Sequence, residues 1–497
     1  MNDLNTRPAD LKSSFIRGAA WSMAMRWGIK LLGLISTVIL ARILTPGDYG
    51  IVAMAMLIVG LVQVLVDSGA DTNILRKQTL DRDIVDSAWS LRIIEGCCVA
   101  VLLALSAPLA GIYFKQPQVV WIVWVISASL FVSGFTNIGI TVARKNFEFG
   151  LEFRFNILSK VMGVAVTIVA ALIIRDYRAL VLGIVADALS RVILSYIMHP
   201  YRPAWNTSQL RSMWHFSKWL LISGIGNFAT RKTDELIVGR IGDAHALGVY
   251  SVASEIGQLP TAELGPPIMR TFLPTLSSIK DDRERVKAAV LKTLAAVNTL
   301  TLAAACGFVA VAEPLTHVLL GEKWAGVAPF LAIFAIVGAL KVAVAPFSGL
   351  LLLLGFSKLH AQMMWVEFLA FVVASALLVP DFGVMGLAYA RLVSAGIYFL
   401  ANLQSTHSAS GITYRQIASA LWRPFAGATV MLAAVLLMPS LTSNIYLDLA
   451  EKITLGVVIY TLFILVSWRI CDKPDGIETF MISKARQIFW LFTVFLR

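Results

Sequence analysis

Residues 39–55 read "ILARILTPGDYGIVAMA", and a similar stretch, "IVGRIGDAHALGVYSVA", occupies residues 237–253. In both, an arginine precedes a glycine by eight positions, and the two glycines, Gly50 and Gly248, are flanked by apolar residues. Each stretch predicts the end of one helix, a short turn and the start of the next. The recurrence predicts a duplicated helical unit, although any pair of helices joined by a glycine-containing turn gives similar spacing.

The composition outside these motifs is that of a polytopic membrane protein. Hydrophobic residues make up 58% of the 497 positions, charged residues 14%, and the mean hydropathy is +0.76. Apolar runs of roughly 18 to 25 residues, enough to cross a hydrocarbon layer about 30 Å thick, fill nearly the whole chain. The four cysteines lie in or beside these runs without metal-ligand spacing, so we expect core packing and no metal site.

Hydropathy and helix breakers predict an all-α integral membrane protein of about fourteen transmembrane helices. Six predicted helices separate the two motifs, and an even number restores the direction of the chain. The halves are therefore expected to be two parallel-repeat six-helix lobes, followed by two C-terminal helices. The predicted segments are a cytoplasmic N-terminal segment 1–17, an N-terminal lobe 18–215, a C-terminal lobe 216–420, helices 13 and 14 in 421–470, and a cytoplasmic or interfacial tail 471–497.

The segment 255–276 makes the helix count least definite, because four prolines interrupt a single predicted span. If this segment crosses the membrane, we expect a broken or kinked helix.

Basic residues predict the orientation. Most of the 42 Lys and Arg residues fall in connections on one predicted side, which places both termini in the cytoplasm. This topology also explains the formal net charge of +12 without nucleic acid, and makes anionic membrane lipids the natural neighbours.

Several stretches carry a family resemblance. "GAAWSMAMRWGIKLLGL" (18–34), "ARILTPGDYGIVAMA" (41–55) and "DSGADTNILRK" (67–77) together resemble the amino-terminal signature of bacterial polysaccharide flippases. These proteins form the Wzx or polysaccharide transporter family of the MOP exporter superfamily. Residues 231–260 resemble the family's seventh and eighth helices, and "FGVMGLAYARLVSAG" (382–396) resembles a later span.

The resemblance is closest to exporters of colanic-acid type, and it implies a function. A member of this family is expected to move undecaprenyl-diphosphate-linked oligosaccharide from the cytoplasmic to the periplasmic leaflet, by alternating access between two lobes. The implied partners are this lipid-linked oligosaccharide, membrane lipids, and a polysaccharide polymerase with its export machinery. The sugar, the coupling ion and the oligomeric state stay open.

The first predicted helix contains a polar stripe. Arg26 and Lys30 are four residues apart, and Ser22, Gly33 and Thr37 continue the same face. Because a lipid-exposed cation at the centre of a bilayer costs roughly 2.5–3.5 kcal/mol, we expect Arg26 and Lys30 to face an aqueous cavity, or else to form a structural ion pair.

Further cations are predicted inside the membrane. The predicted spans hold more Lys and Arg than Asp and Glu, and a diphosphate is a compact anion suited to both cationic side chains. The predicted substrate-binding residues are Arg26, Lys30, Arg231, Lys232, Lys341 and Arg391. Arg231 is also spaced to pair with Glu235 or Asp234, and Asp187 with Arg191, so a structural role stays open for these residues. Glu367 is expected to lie nearer the cytoplasmic end of its helix, with its carboxylate reaching the interface.

Four acids are candidates for ion coupling. Asp234, Glu235, Glu255 and Glu263 lie in predicted spans and could take up H⁺ or coordinate Na⁺, or could simply balance charge. The sequence predicts no catalytic residue and no cofactor beyond such an ion.

Two other classes of protein are alternatives to a flippase. A multidrug and toxin exporter of the same superfamily would share the lobes but would more naturally have an acidic cavity for cationic drugs. A membrane glycosyltransferase or polymerase would need paired carboxylates or a metal site on a sizeable outer loop. The longest predicted outer connection, about residues 313–328, contains no acid cluster, which disfavours an enzyme.

Overall fold

The computed structural model describes residues 8–66, 74–75, 80–210, 217–439, 442 and 444–471. Nearly all of these residues are helical, and they include no β-strand. The packing of the chain divides it into two compact units, Met1–Gly248 and Val249–Arg497.

The first unit contains eight described helices longer than two residues. They are α1 (Pro8–Ile43), α2 (Pro46–Val66), α3 (Arg82–Phe114), α4 (Gln118–Ser133), α5 (Gly139–Lys145), α6 (Phe149–Ile174), α7 (Arg178–Met198) and α8 (Ser217–Ile241). Helix α8 packs along α2 and therefore belongs to the first unit. In the sequence-based prediction, the same residues begin the C-terminal lobe 216–420. The predicted lobe boundaries, which follow the repeat, stay predictions.

Small residues bring α6 and α7 into close contact. A Cβ atom at Gly163 would lie 3.0 Å from the Cβ of Asp187, and one at Gly183 would overlap the Thr167 hydroxyl at 1.7 Å. Leu40 and Leu44 at the end of α1 pack on Ala170 at the end of α6. Close backbone approach through small residues is the usual way in which membrane helices gain packing energy.

The second unit contains the remaining described helices. They are α9 (Ala244–Ser278, whose first turn belongs to the first unit), α10 (Arg283–Ala310), α11 (Ala312–Leu320), α12 (Val327–Ala343), α13 (Ala345–Leu353), α14 (Ser357–Ser410), α15 (Tyr414–Leu437) and α16 (Ile445–Ile470). Its largest described core joins Phe272, Leu294, Phe347 and Leu350. Asp282 caps α10, and Thr413 with Gln416 forms a capping box at the start of α15.

Ten helices among the described residues are long and apolar enough to cross a membrane. The chain is therefore an all-α, multi-pass membrane protein, as the hydropathy predicted. The count of fourteen stays a prediction, because α4 is only 16 residues long and α8 and α9 are less apolar. The 54-residue α14 contains two predicted spans, and they are separated at Gly383, whose φ of 56° favours glycine.

The structure decides part of one expectation about α9. The sequence predicted a broken or kinked helix if 255–276 crosses the membrane, and α9 is one helix through all four prolines, so the broken alternative is wrong. It packs closely on α12: a Cβ atom at Gly257 would lie 2.8 Å from the Leu331 carbonyl oxygen, and one at Gly338 would lie 2.3 Å from the Thr261 hydroxyl. This support from a neighbouring helix is what allows prolines within a membrane helix.

Candidate functional site

The polar stripe of α1 is exposed in the first unit. Arg26 and Lys30 are both exposed, and so are Trp27 and Leu31 on the rest of the helix. The helix is held on α6, where a Cβ atom at Gly28 would lie 2.8 Å from Ile157. The two cations are therefore not buried by the rest of the protein, and their role as the lining of a cavity stays a prediction.

The charged cluster of α8 pairs differently from the expected pattern. Lys232 forms the ion pair with Glu235, whereas the Arg231 guanidinium donates to the Asn227 side chain at 2.9 Å. Glu235 is therefore paired with Lys232 rather than with Arg231, the alternative that the spacing had left open, and Arg231 is exposed. Long helical side chains point back towards the N-terminus, so Arg231 reaches the turn before it rather than the turn after it. Asp234 and Glu235 are both buried.

A second charged cluster lies inside the second unit. The Lys341 ammonium on α12 is 2.7 Å from the Glu367 carboxylate on α14, a close ion pair. Glu367 is buried, so the expectation that its carboxylate reaches the membrane interface is wrong. The Arg391 guanidinium, with the residue only 5% exposed, lies 4.3 Å from the centre of the Phe371 ring. Sequence reasoning left Lys341 unpaired because its partner comes from another helix.

The structure therefore separates the predicted cations by accessibility. Arg26, Lys30 and Arg231 are exposed in the first unit, and Lys232 is half-buried there with its acidic partner. Lys341 and Arg391 contact acidic or aromatic groups in the second unit. Of the remaining predicted acids, Glu255 is exposed and Glu263 is half-buried, both on α9.

A polar network that the sequence revealed only in part joins three helices of the first unit. Arg191 pairs with Asp187 at 2.9 Å on α7, as their spacing predicted, and also donates to Asn156 on α6 at 3.3 Å. The Asn156 amide approaches the Met25 sulfur on α1 at 3.5 Å. Asn156 was missed, although an amide within an otherwise apolar helix is itself a signal of an interhelical hydrogen bond.

The connection after α7 is fixed to the start of α3. The Tyr201 hydroxyl donates to Asp86 at 2.7 Å, and the Ala204 amide donates to the same oxygen at 3.1 Å. Burial, together with this hydrogen bond to a carboxylate, raises the pKa of Tyr201 above its ordinary value. Asn206 continues the contact through its backbone N–H to Ser90 at 2.9 Å. Sequence reasoning missed this network because the partners are more than 100 residues apart.

The duplicated motifs meet at their helix starts. A Cβ atom at Gly50 would lie 1.6 Å from the Ala244 carbonyl oxygen, and one at Gly248 would lie 1.8 Å from the Pro46 carbonyl oxygen. All four residues belong to the first unit, at the first turns of α2 and α9. The two glycines thus form a reciprocal backbone contact. Glycine recurs at both positions because each one lies directly against the backbone of the other helix. Among the described residues, no cluster of three potential metal ligands is found.

Comparison with known proteins places these features in a class. The polysaccharide biosynthesis protein family matches residues 39–329, more than half of the chain. The chain belongs to this family. The lipopolysaccharide biosynthesis protein WzxC of Escherichia coli (strain K12) is 24% identical over 425 residues, which cover 84% of this chain and 85% of that protein.

Two solved structures share the fold. The lipid II flippase MurJ, in an inward closed conformation, has a TM-score of 0.71 at 13% identity, covering 91% of this chain and 99% of its own. An inward-facing multidrug resistance MATE family transporter of the MOP superfamily has a TM-score of 0.57 at 14% identity, covering 78% and 96%. At these identities the likeness shows the fold, which is that of MOP-type transporters.

Proposed function

We propose that this protein is a flippase for undecaprenyl-diphosphate-linked oligosaccharide in polysaccharide biosynthesis. It moves this cargo from the cytoplasmic to the periplasmic leaflet of the bacterial inner membrane, and both of its termini lie in the cytoplasm. The family match over residues 39–329 is the observation that carries the proposal. A relative named for lipopolysaccharide biosynthesis and a fold shared with a lipid II flippase support it.

The exposed cations of the first unit are the proposed contacts of the diphosphate. Arg26 and Arg231 can each offer a guanidinium fork to phosphate oxygens, and Lys30 can add a point charge. Lys232, Lys341 and Arg391 are proposed to take part after their present partners exchange with the cargo. The polyprenyl tail stays in lipid between helices, since it is apolar along its whole length.

Cation coupling is part of the proposal. Asp234 and Glu235 are buried, and a buried carboxylate is costly unless it is paired, protonated or bound to a cation. We propose that these two acids, with Glu255 and Glu263 on α9, exchange H⁺ or Na⁺ as the transporter changes conformation. A polysaccharide polymerase and export machinery are the proposed partners that receive the cargo.

The leaflet distribution of polyprenyl-diphosphate oligosaccharide tests the proposal. Cells lacking the protein and any redundant flippase are complemented with wild type, with the double variant Arg26→Ala and Lys30→Ala, or with a control. The control, Lys280→Ala with Lys358→Ala, removes two exposed cations outside the proposed site. We expect cytoplasmic accumulation that wild type and control relieve, and that the double variant does not relieve although it inserts normally.

Other outcomes would contradict different parts of the proposal. Normal export by the double variant would make the α1 stripe structural and overturn the site. A leaflet distribution unaffected by loss of the protein would overturn the cargo. It would favour the second candidate, a multidrug exporter, for which the shared MATE fold is the specific observation.

A further inference from the structure

The second unit contains a cavity that the proposed transport site does not use. It has a volume of about 510 Å³ and lies where the end of α10, the short helix α11 and the start of α12 meet α15 and α16. Small apolar residues such as Ala310, Ala328 and Ala332 form much of its wall. Its ionisable side chains are Glu313, His317 and Lys452. A wall of alanines leaves room that larger side chains would fill.

The cavity lies beside the ends of helices that are long and apolar enough to cross a membrane. The spanning helices α10 and α15 end beside it, and α16 begins beside it. Lys452 is seven residues into α16, roughly 10 Å from its first residue. The amphipathic α11 contributes Leu315 to a cluster with Val435 and Leu449. An amphipathic helix packed across the ends of spanning helices is typical of the interfacial region.

The charges of the cavity select a particular kind of ligand. Lys452 donates to Asp448 at 2.9 Å, and its side chain is only 16% exposed. Because an ammonium carries three N–H groups, this bond leaves it able to donate to a phosphate as well. Glu313 is exposed at the cavity and supplies a carboxylate for a cation. The charged side chains of the lining are therefore one carboxylate, Glu313, and one ammonium, Lys452.

A site that offers one carboxylate and one ammonium is complementary to a zwitterion. A ligand with a primary ammonium can be bound by Glu313, while its phosphate is bound by Lys452 and the His317 imidazole. Leu436, which lines the cavity, and its neighbour Leu437 are 61% and 82% exposed, so acyl chains have an apolar surface beside the cavity. A phospholipid provides both the head group and the chains.

We propose that this cavity binds the head group of a zwitterionic phospholipid with a primary ammonium, of the phosphatidylethanolamine type. Glu313 binds the ammonium, Lys452 and His317 bind the phosphate, and the acyl chains lie on the apolar end of α15. The site is independent of the proposed cargo site, because it uses residues of the second unit that the cargo does not contact. The lipid site can therefore be confirmed or rejected independently of the flippase function.

Native mass spectrometry of the full-length protein in detergent tests the site. Phosphatidylethanolamine and phosphatidylglycerol with the same acyl chains are titrated onto wild type, Glu313→Gln and the matched control Glu322→Gln. Glu322 is an exposed acid of the same connection that does not line the cavity. We expect wild type and control to prefer phosphatidylethanolamine, and Glu313→Gln to bind it roughly tenfold more weakly. Equal weakening by both variants, or no preference in wild type, would overturn the proposal.

A second variant tests the cavity by shape rather than charge. Ala332→Phe fills the space, so it should abolish the preferred binding of phosphatidylethanolamine while the protein stays monodisperse in size-exclusion chromatography. Retained binding would place the lipid elsewhere and overturn the site. Soluble glycerophosphoethanolamine, added as competitor at the same concentration, should not displace the lipid. Displacement by it would show that the acyl chains contribute nothing, and would overturn the assignment to a phospholipid.

Discussion

Gly50 and Ala244 approach so closely that a Cβ atom at Gly50 would lie 1.6 Å from the Ala244 carbonyl oxygen. The same relationship holds in reverse between Gly248 and Pro46. Any side chain at either glycine would overlap backbone, which cannot rotate away as a side chain could. The contact between the first turns of α2 and α9 therefore depends on glycine at both repeat positions.

Gly50→Ala should destabilise the protein because the backbones of α2 and α9 must separate to admit the methyl group. Overpacking of this kind costs about 1–3 kcal/mol. Thermal unfolding in detergent measures the change. Gly47→Ala is the matched control in the same helix turn, since its Cβ atom would meet only the Thr45 hydroxyl at 3.7 Å. Equal unfolding temperatures for the two variants would show that the contact is not tight in the protein.

Lys341→Met should destabilise the second unit because it leaves the Glu367 carboxylate buried without its ammonium partner. Since Lys341 is partly exposed, we expect a loss of about 1–3 kcal/mol, below the range for fully buried pairs. The double variant Lys341→Met with Glu367→Gln should recover much of this stability in thermal unfolding. Additive losses in the double variant would contradict a coupled pair.

The same double variant separates a structural role of Lys341 from a role in cargo binding. If the lysine only neutralises Glu367, export should recover together with stability. If the ammonium also contacts the diphosphate, as proposed, stability should recover while export stays low. The leaflet assay, applied to the single and double variants at equal expression, distinguishes these outcomes.

Elements that depend on local sequence were predictable. Apolar runs predicted membrane helices, and four-residue spacing predicted the Asp187–Arg191 pair, because both follow from the geometry of a single helix. The partner of Lys341 was not predictable, since Glu367 lies on another helix and only packing brings it near. The continuity of α9 could not be decided from the sequence for a similar reason: its prolines favour a break or a kink, and the contact with α12 that supports the helix comes from packing.

The connection after α7 should lose stability when the pH falls below about 6.5. Burial lowers the pKa of His199 below its ordinary value of 6.5, although the Glu148 carboxylate opposes this shift. The unfolded chain therefore binds the proton more tightly than the folded protein, and the stability present above pH 6.5 is lost as the pH falls through the folded pKa. The imidazole lies against Gly139, where a Cβ atom would overlap the ring.

Thermal unfolding between pH 5.5 and 7.5 measures the contribution of His199. His199→Gln should reduce the slope of the unfolding temperature against pH, whereas His245→Gln, at an exposed position, should not. Identical slopes for wild type and His199→Gln would exclude this imidazole as the titrating group.

Tyr201→Phe should loosen the connection after α7 because it removes the hydroxyl that donates to the buried Asp86 carboxylate at 2.7 Å. A hydrogen bond to a charged group contributes about 1.5–3 kcal/mol, and the remaining bonds from Ala204 to Asp86 and from Asn206 to Ser90 should keep the segment attached. We therefore expect faster hydrogen exchange over residues 199–210 without global unfolding.

Tyr446→Phe removes the hydroxyl of an exposed tyrosine and should leave this exchange unchanged. If Tyr201→Phe also left it unchanged, the other contacts of the segment would suffice to hold it, and Asp86 would owe its burial to Ala204 and Arg82 rather than to the phenol.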